Sequence, residues 1–89
     1  MNQKKQFYNM RGNNDLLLRK NIGIYIKNAR KNKSLSGKQL GKLLNLSQQQ
    51  ISRYENAVTS INIETLNVIL IILEKDWFDF LDYIMKKEI

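Results

Sequence analysis

Apolar residues recur at helical spacing from residue 15 onward, and the first such segment covers residues 15–32. Its apolar positions are Leu16, Leu17, Ile22, Ile26 and Ala29. Because lysines occupy positions away from this stripe, the segment is expected to form an amphipathic helix. Asn21 and Gly23 are poor helix formers, so we expect the regular part of the helix to begin near Asn21, after a separate turn.

Ser36 precedes a second, shorter amphipathic segment. The apolar positions of that segment are Leu40, Leu43 and Leu44. A serine hydroxyl accepts a hydrogen bond from a backbone N–H in the first helical turn, which predicts Ser36 as the N-cap. Gly41 leaves room for a closely crossing helix, and Asn45 tolerates the left-handed conformation that ends many helices.

Ser47 begins a third helix after only two or three linking residues, with Leu46 expected in the core. Ile51 and Tyr54 are three residues apart, so they share one face and are expected to be buried. Two short helices joined by so short a turn indicate a helix-turn-helix motif.

Two further helices are predicted near the carboxy terminus. Asn62 is expected to cap a central buried helix from Ile63 to Glu74, with inward-facing residues Leu66, Ile69, Leu70 and Leu73, widened by Ile71 and Ile72. Asp76 is expected to cap a last helix over residues 77–87, with one side formed by Trp77, Phe80, Leu81, Ile84 and Met85. Five helices without proline or strand-like alternation predict an all-α domain over residues 15–89.

The positive charge is concentrated in the amino-terminal part of the chain. Of the 89 residues, 1–53 contain twelve Lys or Arg and one acidic residue, whereas 54–89 contain three Lys and seven acidic residues. This asymmetry favours a polyanionic partner for one part of the domain. Residues 1–14 are polar, basic and without helical periodicity, and we expect a flexible basic arm there.

The residue types exclude several functional classes. The chain has no cysteine and no histidine, so thiol chemistry, the usual zinc sites and imidazole catalysis are excluded. We therefore expect no enzyme activity, no metal site and no cofactor, and no small-molecule effector is evident. The absence of a signal sequence and of a long apolar run predicts a cytoplasmic protein without a membrane partner.

The helix that begins at Ser47 has the residues of a DNA-reading helix. Gln48, Gln49, Ser52 and Arg53 point away from its apolar face. Glutamine can form two hydrogen bonds to adenine, and arginine can form two to guanine, in the major groove. A helix with this polar face and an apolar back predicts binding to double-stranded DNA.

The chain resembles the Cro and C1 repressor type of helix-turn-helix protein, also called the XRE family. The resemblance covers residues 22 to about 81, from IGIYIKNARKNKSLS through SQQQISRYEN to IETLNVILIILEKDWFDFL. It implies a five-helix repressor-like domain whose third helix enters the major groove. The residues that it implies for base reading are Gln48, Gln49, Ser52 and Arg53, and those for phosphate binding include Ser47, Gln50 and Asn56. It also implies a structural ion pair between Arg30 and Glu55.

Three positions depart from the family pattern. Gly37 stands where the family commonly has a glutamine that contacts a phosphate or the reading glutamine. Asn45 replaces the usual turn glycine, and the loop AVTSIN lacks the basic residues and the proline often found there. These departures move the expected phosphate contacts toward Lys33, Lys38, Lys42 and the amino-terminal arm.

The string SQQQISRYE is also similar to a signature of small regulators encoded in enterobacterial fimbrial operons. That narrower resemblance implies control of fimbrial or flagellar genes. The residues themselves carry no information about target genes.

The aromatic side of the last helix leaves two readings open. Trp77, Phe80, Leu81 and Ile84 exceed what one helix face normally buries, which predicts a role in a homodimer interface as well as in the core. The leading hypothesis is a transcriptional regulator that binds an inverted repeat as a dimer. The alternative is a protein-binding module, such as an antitoxin or adaptor, that uses this aromatic helix.

Overall fold

The described part of the chain consists of five α-helices and contains no strand. The computed structural model describes the backbone of residues 3–88 and the side chains of residues 15–87. The helices are α1 (Gln3–Asn32), α2 (Gly37–Leu44), α3 (Gln48–Glu55), α4 (Ile63–Ile72) and α5 (Trp77–Glu88). This arrangement confirms the predicted all-α, five-helix class.

Helix α1 is continuous from Gln3 to Asn32 and is longer than predicted. The expected start at residue 15 and the separate turn before Asn21 are wrong. Helical hydrogen bonds form within the segment itself, so the lack of an apolar stripe in residues 3–14 did not exclude a helix there. Asn21 and Gly23 are tolerated because both are buried against neighbouring helices, and tertiary contacts override propensity. Flexibility of this segment stays a prediction, and its side chains lie outside the described residues.

Each helix contributes to one hydrophobic core. Its fully buried residues include Ile26, Leu40, Ile51, Ile69, Leu70 and Leu73. The predicted inward positions Leu16 and Leu17 are exposed, and Tyr25 is buried instead. The reason is that α5 packs on α1 beside Tyr25, whose ring centroid lies 5.1 Å from that of Phe80. The core therefore begins one to two turns later along α1 than the sequence pattern suggested.

Helix α4 buries one stripe and leaves its other side open. Leu66, Ile69, Leu70 and Leu73 are buried as predicted. Ile71, however, is 65% exposed, so the expectation that α4 is buried on a wider face is wrong. The helix ends at Ile72, earlier than predicted, because Glu74 adopts a left-handed conformation with φ of 57° and turns the chain toward α5. The domain thus retains exposed apolar residues on α4.

Among the residues described, no helix combines the length and the apolar character needed to cross a bilayer.

Candidate nucleic-acid interface

The α2–turn–α3 unit is built by local capping at both helix starts. The Ser36 hydroxyl accepts from the Gln39 N–H at 3.0 Å, and the Gln39 side-chain oxygen accepts from the Ser36 N–H at 2.8 Å. The Ser47 hydroxyl likewise accepts from the Gln50 N–H at 3.0 Å. These bonds satisfy backbone donors that have no partner within a helix, which explains why both helices begin where they do.

The turn between α2 and α3 is tight because of Asn45 and Gly41. Asn45 has φ of 58° and ψ of 40°, the left-handed conformation predicted for it. The Leu46 N–H then donates to the Gly41 carbonyl at 2.7 Å. A Cβ on Gly41 would lie 2.6 Å from the Leu46 carbonyl oxygen. The same Cβ would lie 3.2 Å from the carbonyl oxygen of Ser47, the N-cap of α3. Gly41 therefore makes room for the backbone of the turn and for the start of the neighbouring helix, in line with the prediction of a close approach there.

The inner side of α3 is held by an apolar contact and an ion pair. Ile51 is fully buried, whereas Tyr54, predicted as core, is only half-buried. Arg30 of α1 donates from Nε and Nη2 to the two Glu55 carboxylate oxygens at 2.7 and 2.9 Å. Their side chains are 11% and 5% exposed, respectively. The paired geometry is the strong, orientation-specific form of an arginine–carboxylate contact.

Arg30 also connects this ion pair to the loop before α2. Its Nη1 donates to the Leu35 carbonyl at 2.8 Å. The hydrogen bond to Glu55 raises the pKa of Arg30 above its usual value, although burial acts in the opposite direction. The guanidinium thus joins α1, the α1–α2 loop and the end of α3.

The backbones of α1 and α3 come into direct contact beside the ion pair. A Cβ added to Gly23 would lie 2.4 Å from the Glu55 carbonyl oxygen. No side chain larger than hydrogen fits without moving one helix. Gly23 and the ion pair together hold α3 close against α1.

The outer side of α3 is polar and accessible. Gln48, Gln49, Ser52 and Arg53 are all exposed. Positions 48, 49, 52 and 53 follow the i, i+1, i+4, i+5 pattern of one helix face. The residues predicted to read bases therefore lie together and are not blocked by the described part of the chain.

Two of the predicted phosphate-binding residues have partners within the protein. The Gln50 side-chain amide lies 3.4 Å from the Thr59 hydroxyl, to which it donates. Asn56 Nδ2 donates to the Ser52 carbonyl at 2.9 Å and to the Ser52 hydroxyl at 3.1 Å. Both side chains therefore hold protein groups next to the outer face of α3.

The three lysines predicted to bind phosphate divide into two groups. Lys38 and Lys42 are exposed on α2, while Lys33 forms an ion pair with Glu74 at 2.5 Å. The Lys33 contact lowers the pKa of Glu74 through the hydrogen bond first and charge second. Lys33 is therefore occupied in this structure, whereas the two α2 lysines make no described ion pair.

Lys27 was missed by the sequence reasoning. It lines a cleft with Gln48, Ser52 and Asn56, and the Arg30–Glu55 pair lies at the base of this cleft. The spacing gives half of the signal, because Lys27 precedes Arg30 by three residues and so shares its helix face, but it does not show what that face packs against. Once Arg30 is placed against α3, Lys27 must lie near the same helix.

The predicted dimer residues on α5 differ in accessibility. Phe80 and Ile84 are only 4% and 7% exposed, because they fill the chain's own core. Trp77 is half-buried and donates from Nε1 to the Asn67 side-chain oxygen at 2.9 Å. Leu81 is exposed, as are Met85 and Phe78, the last at 86%. A second copy could reach Leu81 and its exposed neighbours but not Phe80 or Ile84.

A metal centre has no ligand set within the described residues. Among them, no three acidic, histidine or cysteine side chains are grouped closely enough to hold an ion.

Comparison with known proteins gave one match. A family model described as helix-turn-helix matches residues 26–80, which is more than half of the chain. Among curated proteins and solved structures, no match was found.

Proposed function

We propose that this chain, which belongs to the XRE-type helix-turn-helix family of DNA-binding regulators, is a sequence-specific transcriptional regulator that binds an inverted repeat as a dimer. The observation that carries the proposal is the two-sided character of α3. Its inner side is tied to α1 by the Arg30–Glu55 pair, and its outer side presents exposed amide, hydroxyl and guanidinium groups. A helix held from behind positions these groups for the major groove at little entropic cost.

Base reading is assigned to the exposed side chains of α3. Gln48, Gln49 and Arg53 have the donor and acceptor groups that discriminate between base pairs, and a well-formed bidentate contact contributes about 1–3 kcal/mol of discrimination. Gln48 packs beside Gly37, since a Cβ at Gly37 would lie 3.7 Å from the Gln48 Cγ. Because position 37 is glycine, no side chain at that position can contact the amide of Gln48.

Phosphate binding is assigned to exposed cations on α1 and α2. Lys38 and Lys42 lie on α2, and Lys27 lies in the cleft beside Ser52. The Ser47 end of α3 adds backbone N–H groups with a partial positive charge. Lys33, Gln50 and Asn56 would first have to release their protein partners.

Salt dependence tests the phosphate contacts. Each neutralised phosphate contributes about 0.9 to the slope of log affinity against log salt concentration. Lys42→Gln should therefore lower that slope by about one without changing the preferred sequence. A matched control is Lys86→Gln, which removes an exposed charge on α5.

Selection of binding sites from random duplexes tests specificity, symmetry and spacing together. A dimer predicts an inverted repeat with half-site centres about 10 base pairs apart. Gln48→Ala and Arg53→Ala should each relax selection at particular positions. If folded variants keep the wild-type preference, α3 is not the reading helix.

The dimer surface is assigned to the exposed side of α5, with a second copy of the chain as its partner. Phe78, Leu81 and Met85 have the i, i+3, i+7 spacing of one helix face, and all are exposed. Leu81→Asp should shift the protein toward monomers in sedimentation experiments. Leu43→Asp, which places the same charge at an exposed position of α2, should not. A heterocomplex formed through α5 without DNA preference would instead support the protein-binding alternative.

The target genes are assigned from the SQQQISRYE signature alone. We propose fimbrial or flagellar genes as targets on that resemblance. The assignment predicts that the selected binding site occurs upstream of such genes and that deleting the regulator changes their transcript levels.

A further inference from the structure

Asn56 has a role in the structure that differs from phosphate binding. It follows α3 directly, and its side chain turns back along the helix to Ser52, one turn earlier. Nδ2 reaches the Ser52 carbonyl at 2.9 Å and the Ser52 Oγ at 3.1 Å. An amide nitrogen carries two hydrogens, and these two contacts use both of them.

This arrangement limits what Asn56 can offer to DNA. With both side-chain donors directed at Ser52, the remaining group is the side-chain oxygen, which is an acceptor. A phosphate oxygen is also an acceptor, so the two would not attract each other. The Asn56 backbone N–H is also engaged, since it donates to the Ser52 carbonyl at 2.9 Å.

The bond from Asn56 limits the hydrogen bonds that the Ser52 hydroxyl can form. A hydroxyl has one hydrogen and two acceptor lone pairs, and Asn56 occupies one of the lone pairs. In a helix, a serine commonly donates its hydrogen to a carbonyl in the preceding turn. Within the described side chains of residues 15–87, no bond donated by the Ser52 hydroxyl is present. Its hydrogen is therefore available on the outer face of α3.

We infer that Asn56 is a positioning residue that holds the Ser52 oxygen in place and makes its hydroxyl a donor to an acceptor atom on a base edge. This inference rests on the proposed function. A hydroxyl that already accepts a hydrogen bond is polarised and becomes a stronger donor. The acceptors in the major groove are purine N7, guanine O6 and thymine O4, whereas cytosine presents a donor at N4. Ser52 therefore selects against cytosine at the base that it contacts.

Reversal of the hydrogen bond between residues 56 and 52 is the sharpest test. In Asn56→Asp the carboxylate has the same shape but only accepts. It loses the bond to the Ser52 carbonyl oxygen, which is also an acceptor, and can bind Ser52 only through a hydrogen bond that the hydroxyl donates to it. The Ser52 oxygen then faces the base as an acceptor. Cytosine, which the wild type disfavours, should then become acceptable at that position because its N4 group is a donor. Adenine presents both the N7 acceptor and an N6 donor, so the change at cytosine is the diagnostic one.

The measurement is relative affinity for four operators that differ only at the position affected by Ser52→Ala. Wild type should disfavour the cytosine operator about three- to tenfold relative to the best of the other three, the range expected for one hydrogen bond. Ser52→Ala and Asn56→Ala should each reduce that preference, and the double variant should show no further loss. Asn28→Asp adds the same charge at an exposed position of α1 and should leave the preference unchanged.

A second readout identifies the atom involved. Replacing the contacted purine by its 7-deaza analogue should weaken wild-type binding and leave Ser52→Ala binding unaffected when N7 is the acceptor. A matching loss on removing guanine O6 or thymine O4 identifies those atoms instead.

Failure of the inference is distinguishable from failure of the proposed function. If wild type selects no sequence, both are wrong. If wild type is selective but Asn56→Ala weakens all four operators equally, including in the Ser52→Ala background, Asn56 binds phosphate and the positioning role is wrong. An unchanged base preference in Asn56→Asp also means that the positioning role is wrong.

Discussion

The inner and outer sides of α3 are built from different interactions, although they belong to the same eight-residue helix. On the inner side, Ile51 fills the core and Glu55 receives two hydrogen bonds from Arg30. On the outer side, the exposed side chains of Gln49 and Arg53 form no hydrogen bond or ion pair within the described residues. The inner side therefore contributes stability, and the outer side contributes the groups that a ligand can meet.

The contrast explains how a very short helix can keep a fixed orientation while its outer side remains available to a ligand. Isolated helices of this length are not stable in water, so α3 depends on tertiary contacts and on its Ser47 cap. Because those contacts all lie on one side, substitutions on the other side should change recognition without unfolding the domain. The following substitutions test that separation.

The largest effect on stability is expected from Glu55→Gln. It leaves the mostly buried Arg30 without a countercharge, and breaking a buried pair costs about 3 kcal/mol in the free energy of unfolding. Urea unfolding can be followed through Trp77, the single tryptophan of the chain. Glu74→Gln, which removes the acid of the exposed Lys33 pair, serves as the control and should be near neutral. Equal losses in both variants would mean that the inner ion pair does not hold α3.

A smaller loss is expected from Gly41→Ala. The new Cβ would lie 2.6 Å from the Leu46 carbonyl oxygen, so the turn before α3 must shift, at about 2 kcal/mol. Gly37→Ala is the matched control, because its Cβ would meet the Gln48 Cγ at an ordinary 3.7 Å. That control should be neutral or slightly stabilising in the same urea experiment. If the two alanines behave alike, the close approach at Gly41 is not a constraint on the motif.

Tyr25→Phe tests a contact remote from α3. The Tyr25 hydroxyl donates to an Asp79 carboxylate oxygen at 2.6 Å, and its loss should cost about 1 kcal/mol at neutral pH. Burial, followed by the bond to Asp79, raises the Tyr25 pKa above its usual value. A raised tyrosine pKa stabilises the fold below about pH 10 and loses this effect as the pH increases further. The wild type should therefore lose more stability than the variant above pH 10 in parallel urea titrations. Operator binding by Tyr25→Phe at neutral pH should match the wild type.

The smallest effects on stability are expected on the outer side of α3. Gln49→Ala and Arg53→Ala should change the free energy of unfolding by less than about 0.5 kcal/mol. The same variants should alter base preference in competition binding. A large loss of stability in either variant would show that the outer side also holds the fold, against the separation proposed for α3.

Sequence reasoning succeeded best where structure depends on neighbouring residues. Ser36, Ser47 and Asn62 cap their helices as expected, and Asn45 takes the left-handed conformation. Caps and tight turns are decided within a few residues, so their residue types predict them directly. The position of the α2–α3 motif therefore follows from the sequence alone.

The reasoning failed where burial depends on distant segments. Leu16 and Leu17 match the helical stripe of α1 but are exposed, whereas Tyr25 is buried by α5. Ile71 is apolar like a core residue, but it is exposed because none of the side chains described, those of residues 15–87, covers that side of α4. Periodicity identifies which residues share a face, but not how far along a helix its neighbour extends.

The candidate site shows the same division. The outer residues Gln48, Gln49, Ser52 and Arg53 could be identified from α3 alone, because one helix period places them together. The cleft position of Lys27 and the bond from Asn56 to Ser52 could not be identified, since each depends on how α1 lies or how a side chain turns. Residues whose position follows from one helix period could be identified from the sequence. Residues whose position depends on helix packing or on a side-chain rotamer could not.

By itself, the amino-acid sequence determined the helical class, the starts of α2 to α5 and the residues of the reading face, because these follow from bonds within one or two turns. Only the tertiary structure decided which apolar residues are buried, that Lys27 joins the site and that Asn56 is turned toward Ser52. Those outcomes depend on the packing of α1 against α3 and α5 and on the rotamers it permits, and no local pattern encodes them.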